Sequence, residues 1–340
     1  MTIGERNGAA SQPPPVDRRP DAASGDGASA RRHLHVAPIF EAGSPADVRI
    51  GARVPTLIRA LRPLQWTKNG ILFAALVFDR KLLEPASFAR TLLATVVFCL
   101  LSSGVYLVND VGDAESDRLH PLKRRRPIAA GELAPRLALI VAAMLFAVAL
   151  AAAWVVRPQF AVAAAGYVVL MVAYSAWLKR IAIVDVFTIA AGFVIRAVAG
   201  AVAIAVAISP WLLLCTMLLA LFLGFGKRRH ELSSLPDAAS HRANLGAYSV
   251  PFLDQLIAVV AAATVMAYAF YTFDAAAVPA NHSMMLTVPV VTYAIFRYLY
   301  LIQARGLGGS PESLLLTDRP LLLSIATWAA SSVAILYLVS

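Results

Sequence analysis

What most limits the fold of this chain is a series of apolar stretches, each about 20 residues long, which is the length a helix needs to cross hydrocarbon. They cover residues 61–78, 88–108, 137–156, 161–177, 184–204, 211–225, 256–273, 286–303 and 321–339. Lipid offers no partner to a backbone N–H or C=O, so each stretch is predicted to be a helix. The expected fold class is an all-α integral membrane protein, with about nine transmembrane helices forming one bundle over residues 53–340. The whole chain agrees: 59% of its 340 residues are hydrophobic, 15% are charged, and the mean hydropathy is +0.69. The first stretch is interrupted by Lys68 and Asn69, and its start is the least defined boundary.

Residues 1–52 are rich in Pro, Ala, Gly, Ser, Asp and Arg, with three consecutive prolines at 13–15 and no apolar period. They read as a disordered cytoplasmic tail, without the early apolar core of a signal peptide. With the tail in the cytoplasm, the basic connections at 118–136, at Lys179 and Arg180, at 227–242 and at 305–319 share its side. The opposite connections, around 79–85, Arg157, Ala207 and 274–282, hold far fewer bases. This obeys the positive-inside rule and predicts a multi-pass protein of the inner (plasma) membrane with one active site facing the cytoplasm. The net charge of +10 then points to membrane lipids and anionic substrates, not to nucleic acid, because the bases cluster between apolar spans. Six histidines without zinc-type spacing argue against a transition-metal site, and Cys99 and Cys215 read as packing residues inside spans. No internal repeat is evident, and homo-oligomerisation stays open.

Residues 109–131, NDVGDAESDRLHPLKRRRPIAAG, carry the densest chemistry. At about 100° per residue, Asn109, Asp110, Asp113 and Asp117 fall within one quadrant of a helix. Carboxylates so crowded repel one another unless a cation lies among them. Mg²⁺, which binds a few carboxylates together with phosphate oxygens and waters, is the natural candidate. Arg118, Lys123, Arg124, Arg125 and Arg126 follow, suited to the phosphate oxygens such an ion does not reach. A solvated border loop whose bases only set orientation is the plain alternative.

Three further clusters stand beside this one. In RALRPLQWTKNG, Arg59 and Arg62 read as snorkelling bases, whereas Lys68 lies further into a span beside Asn69, where an ammonium needs an anion. In YSAWLKRIAIVD, Lys179 and Arg180 read equally as interfacial anchors and as substrate-binding groups. Arg196 follows Asp185 by three turns on the same helix face, flanked by Gly192 and Gly200, and an ion pair within the bundle rivals a catalytic role there. In FGKRRHELSSLPDAASHRANLGAYS, the bases Lys227, Arg228 and Arg229 either set orientation or belong to a lid with phosphate contacts.

NDxxDxxxD at a span end, a basic stretch ending RPIAAG, and about nine apolar helices together resemble the UbiA superfamily of intramembrane prenyltransferases, from Leu61 onward. LRPLQWTKN, YSAWLKRIAIVD with GFVIRAVAGA, and GKRRHEL with NLGAYS are similar to one branch, the decaprenyl-phosphate phosphoribosyltransferases. Ordinary members carry a second Asp-rich motif after the sixth span. Here GKRRHEL stands in its place, which speaks against transfer of a prenyl group to an aromatic acceptor.

The resemblance implies Mg²⁺-dependent transfer of 5-phosphoribose from 5-phosphoribosyl 1-diphosphate to decaprenyl (polyprenyl) phosphate, as a step toward cell-wall arabinan. Asn109, Asp113 and Asp117 would hold the metal, and Asp113, Asp117 and Lys68 are the candidate catalytic residues. Asn69, Asn109, Asp110, Lys123, Arg126, Lys179, Asp185, Arg196, Lys227 and Arg228 are the candidate substrate-binding residues. Two alternatives remain: a prenyltransferase acting on an aromatic acceptor, and a non-catalytic polyprenyl-phosphate transporter, for which the Asp stripe would have no evident use.

Overall fold

The computed structural model of the chain describes residues 55–234, 245–276 and 278–339. The tail expected over 1–52 and part of the connection at 227–242 lie outside them. All regular structure among the described residues is helical. We number the α-helices α1 (Thr56–Leu61), α2 (Phe73–Phe78), α3 (Pro85–Gly112), α4 (Ala114–Leu119), α5 (Pro135–Val156), α6 (Pro158–Ala176), α7 (Val184–Ile204), α8 (Pro210–Ser234), α9 (Val250–Asp274), α10 (Val288–Gln303), α11 (Pro311–Thr317) and α12 (Arg319–Leu338).

Eight of these are long and apolar enough to cross a membrane: α3, α5, α6, α7, α8, α9, α10 with its leading turn, and α12. The chain is a multi-pass integral membrane protein. Large apolar side chains such as Trp154, Val155, Val162 and Val169 point outward, where only lipid can cover them. Proline begins most of the long helices, at the position where its missing N–H costs nothing.

The first expected span, 61–78, is the one that is not a single helix. Pro63–Leu72 winds as a 3₁₀ segment between the short helices α1 and α2. Arg62 precedes it with φ +53°, a left-handed conformation that breaks the α-helix immediately before Pro63. Among the described residues the count of single spanning helices is therefore eight, and the first expected span is a broken one.

Helix α7 holds the bundle together. Its Ala199 and Ala203 pack with α3, α5 and α6 in one core, and its Val186 and Ala190 pack with α8, α9 and α10 in another. Its Gly200 lies against the 3₁₀ segment so closely that a Cβ there would stand 2.2 Å from the Leu72 carbonyl oxygen. Small residues on this helix thus admit a neighbouring backbone.

Long-range bonds sort the connections between the two ends of the bundle. At one end Lys179 meets Asp113, Lys68 meets Glu312, and Asp185 meets Arg228. At the other, Arg157 donates to the Val202 carbonyl, Trp211 to Asp274, and Tyr337 to the Val77 carbonyl. Every acid or base singled out in the basic connections stands at the first end.

Candidate active site

The acid stripe survives a break in its helix. Helix α3 ends at Gly112 and α4 begins at Ala114, yet Asp113 N–H donates to Asn109 O at 2.9 Å and Asp117 N–H to Asp113 O at 2.8 Å. These successive four-residue bonds keep Asn109, Asp113 and Asp117 stacked along one face.

Each acid in the stripe meets a base of the same chain. Lys179, from the turn between α6 and α7, donates to Asp113 Oδ1 at 2.5 Å and to Asn109 Oδ1 at 3.4 Å, while Asn109 Nδ2 donates to Asp113 Oδ2 at 3.0 Å. Arg62 grips both oxygens of Asp110 at 2.5 and 2.7 Å. Arg126 spans two acids, donating to Asp117 Oδ2 at 2.6 Å and to Asp110 Oδ1 at 3.2 Å. Burial pushes the Asp117 carboxyl above the usual range, an effect larger than the pull of Arg126 in the opposite sense. Lys123 is half-buried in the following 3₁₀ turn, and its charge acts on the same carboxylate.

Arg62 therefore does not only snorkel. Its left-handed backbone turns the guanidinium inward to Asp110, and the group also lies 5.0 Å from the ring centroid of Tyr106. Tyr106 stands between the clusters, within electrostatic reach of Arg196, Arg62, Glu312 and Asp110.

Asp185 and Arg196 share a face of α7 but do not meet, since eleven residues of helix separate them by roughly 16 Å. Asp185, fully buried, accepts from Arg228 Nε at 2.8 Å and from the Tyr248 hydroxyl at 3.1 Å. Burial pushes that hydroxyl up to about 12, so it remains a donor. Arg228 also holds Glu231 at 2.5 Å. Arg196 donates to Asn69 Oδ1 at 2.9 Å, to the Gly192 carbonyl at 3.1 Å and to the Tyr167 hydroxyl at 2.7 Å. Asn69 has no exposed surface, and its amide nitrogen is directed at Cys99 and Ser102. These four candidates bond to one another's helices and segments inside the bundle.

Lys227 and Arg228 lie on α8, which continues to Ser234, and not in a loop. Lys68 does find an anion, Glu312 of α11, at 2.6 Å. Nothing in the basic connection at 305–319 marked this acid beforehand, because only the folded path from α10 brings it to the 3₁₀ segment. Tyr106 and Tyr167 were missed because nothing local separates them from core aromatics, and Arg62 was read only as a snorkelling base.

The donor set suits a magnesium ion that shares its shell with a substrate. Asn109, Asp113 and Asp117 offer oxygen only, the ligand type Mg²⁺ prefers. Among the described residues, no three acidic, His or Cys side chains gather closely enough to enclose an ion alone. The balance of the shell is left to phosphate oxygens and water, as is usual for this ion.

The model of the UbiA prenyltransferase family matches residues 70–317. A protein of Mycobacterium tuberculosis named decaprenyl-phosphate phosphoribosyltransferase is 36% identical over 283 residues, 82% of this chain and 93% of its own. A protein of the same name from Corynebacterium glutamicum is 33% identical, over 83% of this chain and 87% of its own. The solved structure of a UbiA homolog from Archaeoglobus fulgidus bound to GPP and Mg²⁺ superposes with a TM-score of 0.64 at 19% identity, covering 83% of this chain and 99% of that one.

Proposed function

This chain belongs to the UbiA prenyltransferase family, and from that premise we propose that it transfers 5-phosphoribose from 5-phosphoribosyl 1-diphosphate to decaprenyl phosphate, releasing diphosphate. The observation that carries the proposal is the distribution of charge at one end of the bundle. Acids with metal-binding chemistry stack along α3 and α4, while at the end of α8 Lys227 makes no ion pair among the described residues and Arg228 and Arg229 are held by Asp185, Glu231 and Asp254. One metal-assisted diphosphate and one additional phosphate group match that division better than two prenyl-diphosphate motifs would.

The chemistry asks three things of the residues. The bond from the anomeric carbon to diphosphate breaks, the leaving group keeps the electron pair, and an oxygen of the lipid phosphate forms the new bond to that carbon. The acceptor is already an anion, so it needs positioning and charge neutralisation, not a strong general base. Asn109, Asp113 and Asp117 would hold Mg²⁺, which when bound offsets the charge that develops on the leaving diphosphate. Arg126 and Lys179, now paired with the acids, are placed to exchange carboxylate for phosphate oxygen as the donor enters.

Arg62 keeps Asp110 in place beside Asp113 and Asp117, and the Asp185–Arg228 pair fixes α7 against α8. The soluble donor would enter from the cytoplasm across an inner (plasma) membrane, and the polyprenyl chain would slide in between helices. The product would feed the arabinose donor for cell-wall arabinan. Purified protein with Mg²⁺, 5-phosphoribosyl 1-diphosphate and polyprenyl phosphate should yield a phosphoribosylated lipid and one diphosphate per lipid. Formation of a prenylated aromatic compound from a prenyl diphosphate, with no ribosylated lipid, would reject the assignment.

A further inference from the structure

We propose that Lys68, Lys227 and the hydroxyl of Tyr298 form a separate phosphomonoester subsite where the 3₁₀ segment, α8, α10 and α11 meet, and that Glu312 is its resident anion, displaced by the incoming phosphate. Only the identity of the ligand rests on the transferase assignment. The subsite itself rests on four observations.

Lys68 and Glu312 pair at 2.6 Å with 28% and 30% of their side-chain surfaces exposed, so the pair faces an opening and is not sealed in the core. Burial pushes the Glu312 carboxyl up, but Lys68, and also Lys227, outweigh it and hold the group below the usual carboxylate range. Lys227 is half-buried near the C-terminal end of α8 and makes no hydrogen bond or ion pair among the described residues. Tyr298 is 2% exposed, and its hydroxyl has no partner among the described residues. That hydroxyl would lie 3.7 Å from a Cβ placed on Gly226, the neighbour of Lys227, and Glu312 acts on it electrostatically.

Glu231 and Glu312 act on Lys227 only through space, so this group of two ammoniums and a phenol keeps two unused donors among the described residues, the Lys227 ammonium and the Tyr298 hydroxyl. A phosphomonoester dianion satisfies both, with oxygens enough for three donors. The acid stripe differs, since Arg62, Arg126 and Lys179 are each already bound to carboxylates there.

The path that delivers Glu312 is pressed against the end of α8. The ring of His230 bonds the Gly306 carbonyl through Nδ1 at 2.9 Å, and a Cβ on Gly309 would stand 2.7 Å from the same ring. Gly306 takes φ +64°, where glycine is favoured. The chain thus carries Glu312 over α8 to Lys68 on a close-fitting strap.

The test reads binding without turnover, so it stands whether or not ribose is transferred. Full-length protein in lipid nanodiscs, free of metal, is titrated with geranyl phosphate, ribose 5-phosphate and inorganic pyrophosphate. Glu312→Gln removes the competing anion and should tighten geranyl phosphate about tenfold, with pyrophosphate unaffected. Tightening of ribose 5-phosphate instead would keep the subsite and assign it to the phosphate of the donor sugar. Tyr298→Phe and Lys68→Met should each weaken the favoured monophosphate about tenfold. The proposal is overturned if Glu312→Gln weakens or leaves unchanged both monophosphates. If Glu312→Gln does not fold, Tyr298→Phe decides: unchanged monophosphate affinity overturns the subsite.

Discussion

Lys179 donates to Asp113 Oδ1 at 2.5 Å, joining the turn before α7 to the acid-bearing end of α3. The base suited to phosphate and the acid suited to metal thus neutralise each other. Either can serve the reaction only by changing partner, and a metal-bound diphosphate offers partners to both at once. Lys179→Met should therefore raise KM for the phosphoribosyl donor by about tenfold while kcat falls less. Initial rates against donor concentration check this, and an unchanged KM would assign Lys179 to anchoring alone.

The Asp185–Arg228 pair is fully buried, so Arg228→Met removes the cation facing a carboxylate inside the bundle, whereas after Asp185→Leu the guanidinium still holds Glu231. Arg228→Met should destabilise the protein by about 3–5 kcal/mol and Asp185→Leu by less, and the double replacement should recover part of the Arg228→Met loss. Thermal unfolding in detergent measures both. Activity should follow stability across the set, as for a positioning pair that does not touch substrate.

Gly200 leaves no room for a side chain, because the nearest atom to an added Cβ is a backbone oxygen of the 3₁₀ segment and cannot rotate away. Gly200→Ala should cost about 1–3 kcal/mol through forced separation of α7 from that segment. A lowered melting temperature with normal expression of Gly166→Ala, where an added Cβ meets nothing within 4 Å, would be the expected contrast.

Acid should open the Glu312 latch. The carboxyl is held below its ordinary value of 4.5, so the folded protein binds fewer protons there than the unfolded chain does. Its contribution to stability is then present above that ordinary value and is lost as pH falls through the lowered one. Melting temperature recorded downward from pH 6 should decline less steeply in Glu312→Gln than in the unsubstituted protein. Parallel curves would show that the pair does not couple to folding.

Much of the fold was legible because lipid imposes a single rule on the backbone. The stretch 184–204 is α7 to the residue, and the four-residue spacing of Asn109, Asp113 and Asp117 persists through the break at Asp113. The first span was misleading because hydropathy does not register Arg62 in a left-handed conformation or a 3₁₀ winding after Pro63. Face matching put Asp185 and Arg196 on one face of α7, and their partners, Arg228 for the first and Asn69, Tyr167 and the Gly192 carbonyl for the second, come from the folded bundle. Glu312 could not be assigned from local pattern at all, since nine α-helices separate it from its partner Lys68 and the strap from Gly306 to Ser310 decides where it points.

The central claim is that the acids at the end of α3 hold a divalent ion on the leaving diphosphate. Ribosylated lipid formed from labelled donor should be measured against Mg²⁺ concentration for the unsubstituted protein, Asp113→Asn and Asp117→Asn, each first shown to retain its melting temperature. We expect turnover that chelation abolishes, and a loss of about 10²–10³-fold or more in either variant. Near-normal rates in a folded Asp113→Asn or Asp117→Asn protein, at the same magnesium requirement, would contradict the claim.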